Sequence, residues 1–322
     1  MKKTTASTAS TAPIKADPLA AARRYARSAK SLNTRRAYRS DWQDWQTWCA
    51  VAHANPMPAS AAAVAAYIAF LADGGLAVAT IERRLVTLAQ AHKAAGHDTP
   101  TSSLLVHETL AGIRRTLGVA PSQKAPVLLD ELRRMVAATP TEGLIGVRDR
   151  AILLAGFAGA FRRGELAGLM LSDIQWQAEG VVLRLRRSKT NQEGQAETVS
   201  LPYGRHAETC AVTALRRWVD AAALTAGPLF RAMDRHGTVK PHGMTGEAIA
   251  EVVKRAAGRA GLDPALYAGH SLRAGLVTSA KDAGIDDSTI MEQTRHRSVA
   301  MLRRYDRRTS RFRHNVLGKL DL

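Results

Sequence analysis

The sequence predicts two domains: an all-α N-terminal helical bundle, then an α+β domain, mostly helical, with a small antiparallel sheet. Three observations predict it. Residues 18–117 read as helix throughout, with apolar positions at helical spacing. Residues 172–202 hold three short β-patterned runs, flanked on both sides by helical stretches. Between these regions, GVAPSQKAP at 118–126 carries two prolines and little periodicity, which marks a linker.

The elements follow in order. Residues 1–17, MKKTTASTASTAPIKAD, begin basic but have no apolar core, so they read as a disordered Ser/Thr/Ala-rich lead and not as a signal peptide. Asn33 is placed to cap TRRAYRSDWQDWQTWCAVA, where Tyr38, Trp42, Trp45 and Trp48 recur at helical spacing. The tryptophans of that stripe are expected in the core. Ser60 opens AAAVAAYIAFLADGG, closed by Gly74 and Gly75. LAVATIERRLVTLAQAHKAAG follows and ends at Gly96, and Ser102 or Ser103 opens LLVHETLAGIRRTLG. That makes four helices, with room for a fifth at the front. In the second domain (127–322), Asp130 begins a helix to about Ala138, 145–158 is an apolar helix, and GELAGL is a short one. SDIQW, VVLRLRRS and ETVSLP read as strands, with Lys189 in the turn between the second and third. Helix returns at 207–224, at 245–260 behind a Thr245 cap, at 271–283 and at 287–294.

Composition narrows the partners. The chain has 322 residues, 46% hydrophobic, enough for two domains with cores of their own. Its net charge of +18 calls for a polyanion. The basic residues are spread over both halves, which favours a clamp on DNA over a short basic tail. No run is long enough to span a membrane, and no basic amphipathic segment stands apart. Cys49 and Cys210 lack any C-x-x-C partner, so the sequence suggests two reduced, buried thiols, neither disulfide nor zinc site, and a reducing cytoplasm.

Four segments carry chemistry: GAFRRGELAGL, RRSKTNQEG, HSLRAG and RHRSVAMLRRY. They supply Arg162, Lys189, His270, Arg273, His296 and Tyr305. Each segment alone has a bland reading: a charged loop before a helix, a solvated hairpin, a helix face, a basic surface with one aromatic. Together the residues suit a phosphodiester. Two arginines bind its oxygens with planar, permanently charged forks. A tyrosine attacks phosphorus and stores the bond as an ester. A lysine protonates the leaving 5′-oxygen. A histidine serves as base or hydrogen-bond donor near neutral pH. His270 and Arg273 stand three residues apart at a helix start, where the helix dipole adds positive potential. The chain shows no Walker loop and no carboxylate pair at metal spacing, so no metal, ATP or other cofactor is expected.

The order and spacing of these segments resemble the tyrosine recombinase (phage integrase) family. The helical half is similar to the core-binding domain of Cre-like members, above all in GLAVATIERRLVTLAQAHKAAG and the Trp-rich helix ending in WC. The likeness spans residues 20–320. It implies a site-specific recombinase that closes around double-stranded DNA bearing inverted repeats and acts as a homotetramer. It implies that Arg162 and Arg273 bind the scissile phosphate, that His296 donates to a non-bridging oxygen, and that His270 assists as base or orienting group. Lys189 is then the general acid, and Tyr305 becomes a 3′-phosphotyrosine. Glu165 matches an acidic position that supports the site from behind. Helices 33–53 and 80–95 would face the major groove, with Thr34, Arg35, Arg39, Arg83, Arg84 and Gln90 as candidate DNA contacts. The apolar positions Val316, Leu317, Leu320 and Leu322 would dock on a neighbouring protomer. Two departures stand out. The family usually has glycine before the last histidine, and this chain has Arg295, which bears on the local turn. Cre-like members carry tryptophan where His296 stands, although histidine is the more usual residue. A type IB topoisomerase or telomere resolvase using the same chemistry, and a non-catalytic DNA-binding accessory protein, remain the alternatives.

Overall fold

A computed structural model describes residues 18–119, 123–186, 197–296 and 298–303. The chain divides into two compact units, residues 1–122 and 123–322.

The first unit contains α1 (Pro18–Ser28), α2 (Leu32–Val51), α3 (Ala61–Asp73), α4 (Val78–Ala94) and α5 (Leu104–Leu117). Serine hydroxyls start three of them, each accepting a backbone N–H left over in the first turn: Ser31 from Thr34, Ser60 from Ala63 and Ser103 from Val106. The cap of α2 is therefore Ser31 and not Asn33. Asn33 already lies inside the first turn, and its side chain instead accepts a 3.4 Å bond from Arg36. The aromatic stripe faces inward. Trp45 is fully buried, stacks on Trp48 at 5.5 Å, meets Tyr67 edge-on at 5.0 Å and donates its indole N–H to Pro56 O. Val64, Ile68, Ile81, Leu88 and Val106 complete the core, with Cys49 buried among them.

In the second unit, residues 123–128 run extended and are tied down at once. Ala125 N–H donates to Leu266 O (2.8 Å) and Val127 N–H to Ser271 O (2.9 Å). Helix α6 (Leu129–Ala138) starts where Glu131 folds back to accept the Leu128 N–H. Helix α7 (Leu144–Ala158) is buried on nearly every side. The short α8 (Arg163–Gly168) follows. Strands β1 (Ile174–Trp176), β2 (Gly180–Leu185) and β3 (Glu197–Pro202) form an antiparallel meander with Trp176 opposite Val181 and Leu183 opposite Val199. Helix α9 (Ala211–Ala221) is shorter than expected, because 207–209 is a 3-10 turn and the Cys210 sulfur caps the helix. A hairpin the sequence reading lacked, β4 (Arg231–Met233) with β5 (Val239–Gly243), comes next. Helices α10 (Gly246–Arg259), α11 (Ser271–Asp282), α12 (Asp287–Thr294) and α13 (Val299–Arg303) close the unit. Thr245 caps α10 as expected.

Two glycines let α7 and α11 come close to their neighbours. A Cβ on Gly156 of α7 would lie 2.7 Å from Leu272 Cδ1, and one on Gly275 of α11 would lie 1.7 Å from Val127 O. Helix α11 is thus wedged between α7 and the extended entry strand. This packing brings the C-terminal end of α7 to the N-terminal end of α11. Among the described residues no helix is long and apolar enough to cross a membrane.

Candidate active site

The turn after α7 sets the first arginine. Ala160 takes the left-handed conformation (φ 45°), and a Cβ on Gly159 would meet the Phe161 ring at 2.2 Å. A non-glycine residue in that region costs about 1–2 kcal/mol. The turn leaves Arg162 as the cap of α8. Glu165, on the first turn of α8, accepts the Arg162 N–H at 3.0 Å and its guanidinium at 2.5 Å. Burial pushes the Glu165 carboxyl up, but the Arg162 N–H and the Arg295 and Arg162 charges together outweigh it and hold the group below the usual range. Glu165 is an anion in this site.

Arg273 comes from the first turn of α11 and is 1% exposed. Its Nη1 donates to Ala160 O at 2.6 Å. His270 sits at the cap of the same helix and is exposed. The strained turn and α11 therefore meet at one carbonyl.

His296 enters from the end of α12 and is buried. Thr294 Oγ1 lies 2.7 Å from its Nδ1 and 2.6 Å from Ile290 O. The threonine has one hydroxyl proton and the carbonyl can only accept, so that proton goes to Ile290 O. Nδ1–H then donates to Thr294, and Nε2 is the unprotonated nitrogen of the neutral ring. Burial first, then the charges of Arg273, Arg162, His270 and Arg295, push the ring down to about 4. Charges at the start of α8, the start of α11 and the end of α12 thus act on one imidazole.

Arg295 holds the left-handed conformation (φ 57°, ψ 42°) at the end of α12. The glycine-type turn is thus kept without glycine. Its Nη1 donates to Gly159 O and Gln293 O, both at 3.1 Å, and its Nη2 to Glu165 at 2.9 Å and Ala160 O at 3.4 Å. The guanidinium also lies 5.4 Å from the Phe161 ring centre. Sequence reasoning noted Arg295 only as a departure and missed Thr294 altogether. The signal for Arg295 was the turn itself, since a residue standing for glycine must hold φ above zero.

Lys189 and Tyr305 lie outside the described residues, as do Val316, Leu317, Leu320 and Leu322. Arg186, at the edge of the segment containing Lys189, donates to the buried Asp173 at 2.7 Å. Of the DNA-contact candidates, Arg35, Arg39, Arg83 and Gln90 are exposed and Thr34 is half-buried. Gln90 accepts from Lys30, and Thr34 Oγ1 pairs with Ser31 Oγ. Arg83 is bonded to Asp41, and the largely covered Arg84 to Asp44 and Tyr67. Among the described residues no three His, Cys, Asp or Glu side chains cluster as a metal site.

Comparison with known proteins adds the following. Residues 127–311 match the model of the phage integrase family. The integrase/recombinase XerD homolog of Selenomonas ruminantium is 38% identical over 267 residues, covering 82% of this chain and 78% of that protein. A tyrosine recombinase of Synechococcus elongatus is 28% identical over 257 residues, covering 78% and 74%. The Tn1549 transposon integrase in complex with transposon right end DNA superposes with a TM-score of 0.60 at 15% identity, over 90% of this chain and 94% of that one. A lambda integrase dimer bound to a COC′ core site gives 0.57 at 18% identity, over 92% and 95%. At those identities the structural likeness is one of fold.

Proposed function

Since this chain belongs to the phage integrase family, we propose that it is a site-specific recombinase that cuts and rejoins double-stranded DNA through a 3′-phosphotyrosyl bond to Tyr305. The observation that supports it best is the charge imbalance of the buried site. Arg162, Arg273 and Arg295 bring three positive charges, and Glu165, the carboxylate bonded to Arg162 and Arg295, returns one. The positive groups outnumber that carboxylate, and their charge adds to burial in depressing the neighbouring His296. A phosphodiester suits such a surplus, and the further charge that develops during transfer suits it better.

In this reading Arg162 and Arg273 hold the non-bridging oxygens. The Tyr305 oxygen attacks phosphorus as its proton leaves, and the bond to the 5′-oxygen breaks. Lys189 gives that oxygen its proton. His296 takes up a proton from solvent at Nε2 when the anion arrives, and that N–H then donates a hydrogen bond to a non-bridging oxygen. His270, exposed beside it, orients the tyrosine or accepts its proton. Attack by the 5′-hydroxyl of a partner strand reverses each step and frees Tyr305. The bond energy stays in the ester, so no external energy source is consumed. Two duplexes and four protomers make up the proposed assembly, joined through residues 315–322, with Thr34, Arg35, Arg39, Arg83, Arg84 and Gln90 meeting DNA.

The test is a nicked suicide duplex carrying a site that the protein selects from random-sequence DNA. Wild-type protein should give a covalent adduct on denaturing gels, and Tyr305→Phe should bind the same duplex and give none. Adduct from the variant would move the nucleophile elsewhere. A bound site that wild-type protein never cleaves would favour the accessory DNA-binding reading. A 5′-bridging phosphorothiolate, whose sulfur leaves without a proton, should rescue Lys189→Ala.

A further inference from the structure

We propose that Arg295 is a positioning residue for strand cleavage, a clasp whose guanidinium holds the supports of both phosphate-binding arginines in register with His296. This rests on the recombinase reading and deepens it.

The geometry behind it is a set of shared acceptors. Glu165 anchors Arg162, and its Oε2 also accepts from Arg295. Ala160 O anchors Arg273, and it also receives Arg295 Nη2. A third contact goes to Gly159 O, the carbonyl just before Ala160. From the same stretch of chain, Gln293 donates to Ala158 O at 2.8 Å. The last turn of α12 is therefore stitched to three consecutive carbonyls, 158 to 160, of the turn that aims Arg162.

The donor count separates this role from phosphate binding. The two terminal nitrogens carry four hydrogens, and four acceptors take them: Gly159 O, Gln293 O, Glu165 and Ala160 O. Arg295 has no terminal hydrogen left for a DNA oxygen, and its remaining donor, the Nε–H, has no partner among the described residues but is buried out of a phosphate's reach. It acts through Glu165 and Ala160.

The backbone points the same way. Both ends of the clasp are left-handed non-glycine residues, Ala160 and Arg295. Glycine would adopt the Arg295 conformation without strain, so an unspecialised turn would be better served by glycine. Arginine is useful there only for what its side chain reaches, and lysine cannot replace a fork that spans several acceptors.

The experiment compares wild-type, Arg295→Gly and Arg295→Lys proteins on the suicide duplex described above, in single turnover at saturating protein. Arg295→Gly keeps the turn and removes the fork. The expected result is a cleavage rate lower by about a hundredfold, the scale set by small displacements of catalytic groups. DNA affinity should stay unchanged. Millimolar guanidinium should restore part of the rate, which a purely structural defect would not permit. Arg295→Lys should fall between the two and decides the matter if the glycine variant does not fold. Wild-type rates in either variant overturn the inference. So does a loss of rate in Arg295→Gly that tracks lost DNA affinity and resists guanidinium. If wild-type protein itself forms no adduct, the recombinase reading falls, and the clasp with it.

Discussion

Acidification should unfold the second unit early, through His296. Its ring titrates at about 4, against 6.5 for an ordinary histidine. Above pH 6.5 the ring is neutral in both folded and unfolded chains and adds no pH dependence. As pH falls from 6.5 toward 4, the unfolded chain takes up a proton and the folded chain does not. Stability then drops, by about 3 kcal/mol across the window, and this contribution levels off once the folded ring protonates. Burial of the ring is the main cause, joined by the charges of Arg273 at the start of α11, Arg162 at the cap of α8, His270 at the cap of α11 and Arg295 next in sequence. Urea titrations from pH 7.5 to 4.5 should show this slope in the wild-type second unit. His296→Asn should lack it, since asparagine can donate to Thr294 but does not titrate. The difference between the two proteins cancels other groups, such as Glu165. The histidine's carbon chemical shift gives the midpoint directly, and a bound phosphodiester should raise it. Identical slopes in both proteins, or a midpoint near 6.5, would refute the reasoning.

Gly275→Ala should destabilise the second unit by about 1–3 kcal/mol and slow cleavage, because the new methyl would push Val127 O and shift the helix bearing Arg273; thermal melts and single-turnover rates measure the two effects. Glu165→Ala leaves two guanidiniums without their shared carboxylate and should lower stability by about 3–5 kcal/mol in denaturant titration. Trp45→Ala removes a fully buried ring and its bond to Pro56 O, so the first unit should lose about 3–5 kcal/mol while the second unit's transition stays in place.

Much of the helical half was legible because its signals are local. A serine before an apolar run, an aromatic every third or fourth residue and a closing glycine each act within one or two turns. Ser31 shows the limit: two polar residues lay close together, and only the backbone shows that the chain becomes helical before Asn33. The 231–243 hairpin escaped because RAMDRHGTVKPHG has a proline and no apolar alternation, and its pairing is irregular, with a register shift between Arg231 and Met233. In the candidate site, residue types, order and one supporting residue, Glu165, could be read, but not the contacts that join the elements. The joining of α7 to α11 depends on Gly156 lying against Leu272 and Gly275 against Val127. Those contacts are long-range, and no spacing encodes them. The Arg295 clasp is likewise invisible until the turn at 158–160 and the end of α12 are seen together.

The small satellite core behind α12 and α13 has a kinetic consequence. Val277, Ile290 and Leu302 are its buried members, with Ala280 and Met291 packed against them. The main core of the same unit is far larger and includes most of α7. Opening a segment requires exposing the apolar surface that it alone covers and breaking its polar ties, here those of Gln293 and Arg295 to the 158–160 turn, so α12 and α13 can part from the main core without melting it. Amide hydrogens on these helices should exchange with solvent long before those of α7. Because α13 ends at Arg303, two residues ahead of Tyr305 in sequence, its loosening bears on the chain that carries the proposed nucleophile.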